Sequence, residues 1–320
     1  MKNKPYVIGL DLGGTNSVFG IVDADANVVA STSIRTKGYP SVEDYVTACC
    51  KALQPLIDEV GGIEQIHGMG IGAPNGNYYT GNIEYAPNLE WKGIVPLARL
   101  FSEALGVKVV VTNDANAAAI GEMTYGAARG MKNFIMITLG TGVGSGIVVN
   151  GDLVYGCDGF AGELGHVTVD YSEDARLCGC GKKGCLEAYC SATGVARTAQ
   201  EFLAKSDDES ELRNIPVDQI TSRDVSVAAS HGDKMALDIY KFTGELLGRT
   251  CTNFTAFSSP EAYVFFGGLT KAGDLLMDHI KAAYDKHVMP IFKGKAKMLF
   301  SQLDDAQAAV LGAAALAWKV

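Results

Sequence analysis

Short apolar runs alternate with helical patterns along the first half of the chain. The predicted strands cover 6–12, 18–22, 27–34, 66–71 and 108–111, and the predicted helices cover 42–60 and 97–105. Strands that alternate with helices indicate a sheet covered by helices, because each element has to bury its apolar face against another. The pattern therefore predicts an α/β fold.

A similar pattern recurs later in the chain. The apolar run 134–139 ends in Gly140-Thr141-Gly142, and a second apolar run over 145–149 follows. Leu139-Gly140-Thr141-Gly142 can be aligned with Leu12-Gly13-Gly14-Thr15, which also has an apolar strand on either side. This internal repeat predicts two related halves.

The second half of the chain is predicted to be mainly helical. Helices are expected over 115–122, 192–204, 235–257 and 306–318, and a strand over 262–266 ends at Gly267-Gly268. The last helix is apolar on every side, so we expect it to be buried. The acidic, weakly apolar segment 205–224 is predicted to be a loop or a mobile insertion.

Length and composition narrow the class of protein. The chain has 320 residues, of which 48% are hydrophobic, and this is enough for two domains. We predict a small N-terminal α/β domain over 1–112 and a larger one over 113–304, with a C-terminal helix over 305–320 that packs back on the first domain. The net charge of −9 argues against a nucleic-acid partner. Without a long apolar run or a signal-peptide core, we expect no membrane partner and a cytoplasmic location.

Three glycine turns follow apolar strands: Gly13-Gly14-Thr15, Gly140-Thr141-Gly142 and Gly267-Gly268. Such turns let backbone N–H groups converge on a phosphate, because no Cβ keeps the ligand away. Each turn alone is also typical of a hairpin. Their recurrence in a duplicated frame favours phosphate binding.

Asp11 and the pair Asn113-Asp114 place polar groups at strand ends. A charge inside an apolar strand is unusual, and Asp11 near a nucleotide phosphate could hold Mg²⁺; the alternative is a carboxylate that caps the turn. Asn113-Asp114 is a common helix start. A strand-to-helix junction at the carboxyl edge of a sheet is also where α/β proteins place their chemistry.

The strongest motif combines His166 with Cys178, Cys180 and Cys185. Three thiols within eight residues, separated by glycines that let the backbone curl around an ion, are typical of a tetrahedral Cys3His zinc site. The alternative is a loop of reduced cysteines, although crowded thiols without a metal would be liable to oxidation.

Two carboxylates flank this motif, Glu163 before His166 and Glu187 after Cys185. Held beside the rigid loop 178–185 that carries the three cysteines (the metal loop), the two carboxylates could accept hydrogen bonds from a polyol. His166 could bind zinc through one ring nitrogen and donate to the same ligand from the other. The alternative is two solvated acids.

Together, four segments resemble the ROK family of repressors, open reading frames and kinases. They are Asp11–Asn16, Leu139–Gly146, Gly159–His166 and Cys178–Glu187. The resemblance spans nearly the whole chain and implies the actin-like ATPase (ribonuclease H-like) fold, in which two duplicated α/β domains close on ATP and a sugar across a cleft.

The resemblance also implies roles for individual residues. Asp114 matches the catalytic base, and the residues that match sugar-binding positions are Asn113, Asp114, Glu163, His166 and Glu187. His166 matches a zinc ligand as well. The residues that match the phosphate and adenosine loops are Gly13, Gly14, Thr15, Thr141, Gly142, Gly267 and Gly268.

Two features set this chain apart from other members. Many carry a second glycine after the proline of Gly72-Ala73-Pro74, where this chain has Asn75, and this difference bears on the choice of sugar. The repressors carry a helix-turn-helix domain before the first motif, whereas only ten residues precede Asp11, so we expect no DNA binding.

We therefore predict an ATP-dependent hexose kinase that uses ATP, Mg²⁺ and Zn²⁺ and converts glucose to glucose 6-phosphate. Alternative substrates are N-acetylglucosamine, N-acetylmannosamine, mannose and fructose, and the alternative class is a non-catalytic sugar sensor. The family resemblance implies a homodimer.

Overall fold

A computed structural model describes residues 4–303 and 308–319. The strands are β1 (Tyr6–Leu12), β2 (Asn16–Asp23), β3 (Val28–Arg35), β4 (Ile66–Gly72), β5 (Ile83–Glu84), β6 (Ile94–Val95), β7 (Lys108–Thr112), β8 (Phe134–Leu139), β9 (Val143–Val149), β10 (Asp152–Leu153), β11 (Ala262–Phe266) and β12 (Lys297–Phe300). The α-helices are α1 (Val42–Glu59), α2 (Leu97–Leu105), α3 (Asp114–Tyr125), α4 (Glu187–Cys190), α5 (Ala192–Lys205), α6 (Ser222–Ser230), α7 (Lys234–Ser258), α8 (Asp274–His287) and α9 (Ala308–Ala317).

Two five-stranded sheets have the same strand arrangement. The first has the order β3-β2-β1-β4-β7, and the second has the order β10-β9-β8-β11-β12. In the first sheet, β1 is antiparallel to β2 and parallel to β4, which is parallel to β7. In the second, β11 lies parallel between β8 and β12. The sheets therefore confirm the duplication that the glycine turns predicted.

The described residues form two compact units. One comprises segments within 1–132, 146–162 and 301–320, and the other comprises 133–145 and 163–300. These bounds differ from the predicted division at 112/113, because α3 packs in the first unit. A Cβ at Gly312 of α9 would overlap the carbonyl oxygen of Ala117 in α3, so the two helices are in very close contact.

The C-terminal helix α9 lies against the first sheet. Glycines in the strands make this possible, since a Cβ at Gly9 or Gly70 would overlap backbone atoms of α9. All but one of its ten residues are buried, as its apolar character predicts. The predicted helix spanned 305–320, and of that range residues 305–307 and 320 lie outside the described residues.

The segment 205–224 is not the irregular loop that its composition predicts. It contains short 3-10 turns over Glu211–Asn214 and Val217–Gln219, and α6 begins at Ser222. Leu212 and Ile220 are buried. Two apolar anchors therefore fold a stretch whose average composition is polar.

Helix α8 and strand β12 were missed from the sequence. Helix α8 packs along α7, where Gly244 and Gly248 leave room for its backbone. The apolar spacing of α8 was a usable signal, with Leu276, Ile280 and Tyr284 all buried. Across the part of the chain that the structure describes, none of the helices has the length and apolar character needed to cross a bilayer.

Candidate active site

Two aspartates of the first unit lie at the carboxyl edge of its sheet. Asp11 of β1 pairs with Gly72 of β4, which pairs with Thr112 of β7. Asp114 follows two residues after Thr112 as the first residue of α3. Because Gly72 has no side chain, α3 approaches the sheet closely: a Cβ at Gly72 would lie only 3.0 Å from the Cβ of Ala117 in α3.

Helix α3 begins with a defined cap. The side-chain oxygen of Asn113 accepts a hydrogen bond from the backbone N–H of Asn116 at 2.7 Å, as expected for an N-cap. The Asp114 carboxylate accepts from the N–H of Ala115 at 2.8 Å. Asn113 therefore caps the helix, as expected for a helix start. Its side-chain NH₂ group can still donate hydrogen bonds to a ligand.

Burial makes both carboxyl groups weaker acids than a free aspartate. Desolvation and the charge of Asp114 raise the pKa of Asp11 to about 6. Asp114 is solvent-accessible, but the protein atoms crowded around it raise its pKa as well. Asp114 therefore does not keep the ordinary pKa of a free aspartate. Two desolvated carboxyl groups that repel each other also form a donor set suited to a divalent cation.

A buried network of hydroxyl groups supports the turn Gly13-Gly14-Thr15. Thr36 donates its hydroxyl to the carbonyl oxygen of Gly13 at 2.7 Å. Ser17 joins this hydroxyl to that of Tyr45, at 2.8 and 2.7 Å. All three side chains are buried, so the turn rests on a rigid support.

Asn75 occupies a backbone position that favours glycine. Its φ is 52°, in the left-handed region, and asparagine adopts this region more readily than other side chains do. Its side-chain nitrogen donates to the carbonyl oxygen of Glu84 at 2.9 Å. Asn75 therefore adopts a conformation that glycine also accommodates, and its amide holds β5 in place.

The second unit places its two glycine turns at one sheet edge. Phe266 of β11 pairs with Thr138 of β8, so Gly267 and the turn at Gly140 leave the same edge. Gly267 has a φ of 106°, and a Cβ there would lie 2.6 Å from the carbonyl oxygen of Leu139. Only glycine suits this position.

The structure brings the four predicted metal ligands together. The ligand atoms of His166, Cys178, Cys180 and Cys185 all lie within 4.8 Å of one another. His166 Nδ1 is 3.7 Å from the sulfur of Cys178, and the sulfurs of Cys180 and Cys185 are 3.6 Å apart. Tetrahedral zinc with ordinary bond lengths requires ligand separations of roughly 3.5–3.8 Å. The donor set and its spacing therefore fit Zn²⁺.

Burial raises the pKa of the Cys178 thiol to about 12. This thiol stays protonated at neutral pH unless a cation stabilises the thiolate, which is the form that binds metals.

His166 presents its second nitrogen to Glu163. Nε2 lies 3.9 Å from Glu163 Oε2, too far for a direct hydrogen bond. The Glu163 side chain is half exposed. This arrangement leaves both groups able to contact a hydroxyl group of a ligand.

Glu187 is more deeply engaged than the sequence suggested. Its Oε1 accepts from the Cys178 thiol at 3.4 Å, and its Oε2 accepts from the backbone N–H of Val143 at 3.0 Å. Val143 directly follows the Gly140–Gly142 turn. Glu187 therefore connects the metal cluster with a predicted phosphate turn.

Sequence reasoning missed Arg176, which anchors the metal loop. This buried side chain forms two hydrogen bonds to Glu201, at 3.0 and 2.8 Å, and lies 4.4 Å from the ring centroid of Tyr189. It also donates to the carbonyl oxygens of Ala188 and Gly194. Nothing in the spacing of the motif distinguishes this arginine from a solvated one.

A family model decides the relationship of this chain to known proteins. The model of the ROK family matches residues 7–320. The chain belongs to the ROK family. Its two sheets accordingly have the actin-like ATPase fold of that family.

The relatives of this chain include glucokinases and a putative repressor. The chain is 37% identical over 317 residues to a glucokinase of Halalkalibacterium halodurans, covering 98% of this chain and 94% of that one. It is similar to a ROK family glucokinase of Streptomyces griseus, which was solved in complex with glucose and AMPPNP. The two chains are 32% identical with a TM-score of 0.79, and the match covers 98% of this chain and 100% of that one. It is 26% identical to a putative xylose repressor of a Caldicellulosiruptor species, covering 98% of this chain and 78% of the repressor.

Proposed function

We propose that this ROK protein transfers the γ-phosphoryl group of ATP to the 6-hydroxyl group of glucose. The observation that carries the proposal is the placement of the two carboxyl groups, Asp11 and Asp114, at the carboxyl edge of the first sheet. The likeness to glucokinases over nearly the whole chain supports the same conclusion.

Asp114 acts as the general base. Phosphoryl transfer requires positioning and charge stabilisation more than covalent chemistry, so one base beside the attacking hydroxyl is sufficient. A raised pKa makes the carboxylate a better proton acceptor than a free aspartate, as long as it is ionised at the working pH. Asn113 orients the sugar through its amide.

Asp11 and the glycine turns serve the phosphates. Asp11 would hold Mg²⁺, which when bound neutralises charge on the phosphoryl oxygens. Backbone N–H groups of Gly14 and Thr15, and those of Thr141 and Gly142, bind phosphate oxygens, while the N–H of Gly13 closes its turn by donating to the carbonyl oxygen of Asn16 at 3.0 Å. Gly267 and Gly268 accept the adenosine, since a Cβ at Gly268 would meet nothing within 4 Å and the space above it is open.

The metal loop binds the sugar. Glu163 and Glu187 accept hydrogen bonds from its hydroxyl groups, and His166 donates from Nε2 while Nδ1 faces the metal cluster. Zn²⁺ held by His166, Cys178, Cys180 and Cys185 would lock the loop and fix the tautomer of the imidazole.

A kinase assay over a panel of hexoses tests the proposal. Purified protein is mixed with ATP and Mg²⁺, and ADP formation is measured with glucose, mannose, fructose, N-acetylglucosamine and N-acetylmannosamine. We expect the highest kcat/KM with glucose and glucose 6-phosphate as the product. A higher kcat/KM with another sugar would change the substrate and keep the enzyme class.

A sugar sensor is the second candidate, because the chain is also similar to a repressor over 98% of its length. Sugar binding without ADP formation would favour it. A cytoplasmic location remains the expectation from the sequence, the family resemblance implies a homodimer, and light scattering of the purified protein tests the dimer.

A further inference from the structure

We infer that Glu187 is a positioning residue that couples the metal cluster to the nucleotide turn, so that the affinity for ATP, and not only that for sugar, depends on the metal. The inference rests on the proposed function, because it takes Gly140-Thr141-Gly142 as a phosphate turn. It adds a role for the metal on the nucleotide side of the reaction.

The first argument is the double contact of the Glu187 carboxylate. One oxygen accepts from the thiol of the ligand Cys178, and the other accepts from the N–H of Val143. A single side chain thus contacts a metal ligand and the residue at the end of the turn. Metal binding removes the proton of the Cys178 thiol, so in the metal-loaded protein Glu187 is positioned by Cys185, the metal ligand two residues before it in the chain, while its charged carboxylate keeps the hydrogen bond from the N–H of Val143.

The second argument is the shape of the turn at Gly142. A Cβ at this position would overlap Oε2 of Glu187. The φ of Gly142 is not in the left-handed region, so its backbone conformation does not require glycine. The absence of a side chain at Gly142 is therefore explained by the approach of the carboxylate.

The third argument is that the same segment holds the rest of the turn. The N–H of Ala192 donates to the carbonyl oxygen of Gly140 at 2.8 Å, and the hydroxyl of Thr193 donates to that of Thr141 at 3.1 Å. Both residues begin α5, directly after α4, whose first residue is Glu187. These two bonds hold Gly140 and Thr141, and the Glu187 carboxylate holds the end of the turn at Val143.

A binding cycle with AMPPNP separates this coupling from a purely structural role. The Kd of AMPPNP is measured by calorimetry for zinc-loaded and zinc-depleted protein, in the wild type and in Glu187→Ala. In the wild type, zinc depletion is expected to weaken AMPPNP binding by about 10–100-fold, the usual cost of losing a group that orients ligands. In Glu187→Ala, AMPPNP binding is already weakened, and zinc depletion should change it by less than about threefold.

Glu187→Gln serves as the conservative variant. Its amide oxygen can accept from Val143 and its NH₂ group can donate to a metal-bound thiolate. We therefore expect Glu187→Gln to keep the effect of zinc on AMPPNP binding while its KM for glucose rises. Thr193→Val is the matched control on the turn, because it removes a bond to Thr141 that does not involve the metal loop. It should weaken AMPPNP binding a few-fold and keep the full effect of zinc.

An unchanged AMPPNP Kd after zinc depletion of the wild type would overturn the inference. An equal effect of zinc in Glu187→Ala, or protein that contains no zinc, would overturn it as well. If Glu187→Ala does not fold, Gly142→Ala replaces it, since its methyl group pushes the carboxylate from the turn side and should likewise suppress the effect of zinc. Protein that binds AMPPNP with this zinc dependence but does not phosphorylate glucose would contradict only the proposed function.

Discussion

The two sheets carry different residues at equivalent strand ends. Asp11 precedes Leu12-Gly13 in β1, and Thr138 precedes Leu139-Gly140 in β8. Thr138 accepts a hydrogen bond from the N–H of Gly144 at 3.1 Å, so its side chain closes its own turn. Asp11 is instead a desolvated carboxyl group with a pKa of about 6, and its turn is closed by Thr36. Of these two equivalent strand ends, one therefore serves its own turn and the other carries a charge that folding does not need.

Asp114→Asn should have the largest effect on the reaction. Loss of a general base usually lowers the rate by about 10²–10⁴-fold, so kcat should fall by this factor while the Kd for glucose stays within a few-fold of the wild type. Steady-state kinetics and calorimetry measure the two quantities. Asp274→Asn is the matched control, because Asp274 is also the first residue of a helix. A variant Asp114→Asn with most of its turnover would place the base elsewhere.

Asp11→Asn should stabilise the protein when Mg²⁺ is absent. The folded state raises the pKa of Asp11 from 3.8 to about 6, so ionising this group opposes folding. The gain should be absent below pH 4, grow between pH 4 and 6, and reach at most about 3 kcal/mol above pH 6. Chemical denaturation across this pH range measures it. If Mg²⁺ binds at Asp11, adding Mg²⁺ should stabilise the wild type and reduce the difference, and a pH-independent difference would contradict the assigned pKa.

Cys180→Ser should remove the metal and weaken sugar binding. We expect about one zinc per chain in the wild type and none in the variant, with a KM for glucose that rises about 10–100-fold. Elemental analysis and kinetics measure these values. Cys157→Ser is the control, because Cys157 is an exposed thiol outside the cluster. A zinc-free variant with the wild-type KM would show that the metal loop does not orient the sugar.

The pH dependence of kcat/KM should reflect the carboxyl groups of Asp11 and Asp114. Both aspartates have raised pKa values, and the base has to be ionised to accept a proton. The acid limb should therefore lie at higher pH than that of a free aspartate, with a loss of about tenfold per pH unit below it. Because the two groups interact, the limb belongs to the pair. A limb near pH 4 would mean that the carboxylates are solvated in the working enzyme.

The sequence predicted what is local and repeated. The turn after β1, its counterpart after β8 and the spacing of Cys178, Cys180 and Cys185 are visible as short motifs. His166 lies twelve residues before Cys178, and the structure brings its Nδ1 to that sulfur. That this cluster binds zinc stays a prediction.

What the sequence did not reveal depends on contacts between distant residues. Glu187 lies 44 residues after Val143, and no periodicity relates a carboxylate to a backbone N–H. The raised pKa of Asp114 depends on how closely α3 approaches the sheet, which is a consequence of Gly72. The composition of 205–224 predicted a loop, but the segment folds around two buried residues, Leu212 and Ile220, despite its many exposed acidic residues.

Thr138→Val should have the smallest effect, and it completes the comparison with Asp11. Valine keeps the shape of threonine but leaves the N–H of Gly144 without its side-chain acceptor, so we expect a loss of about 1 kcal/mol in the free energy of unfolding. The loss should not depend on pH, because threonine does not titrate. Denaturation at pH 4 and pH 8 measures both points. A pH-dependent change at Thr138 would mean that the two strand ends are electrostatically alike, and that the charge on Asp11 is not what distinguishes them.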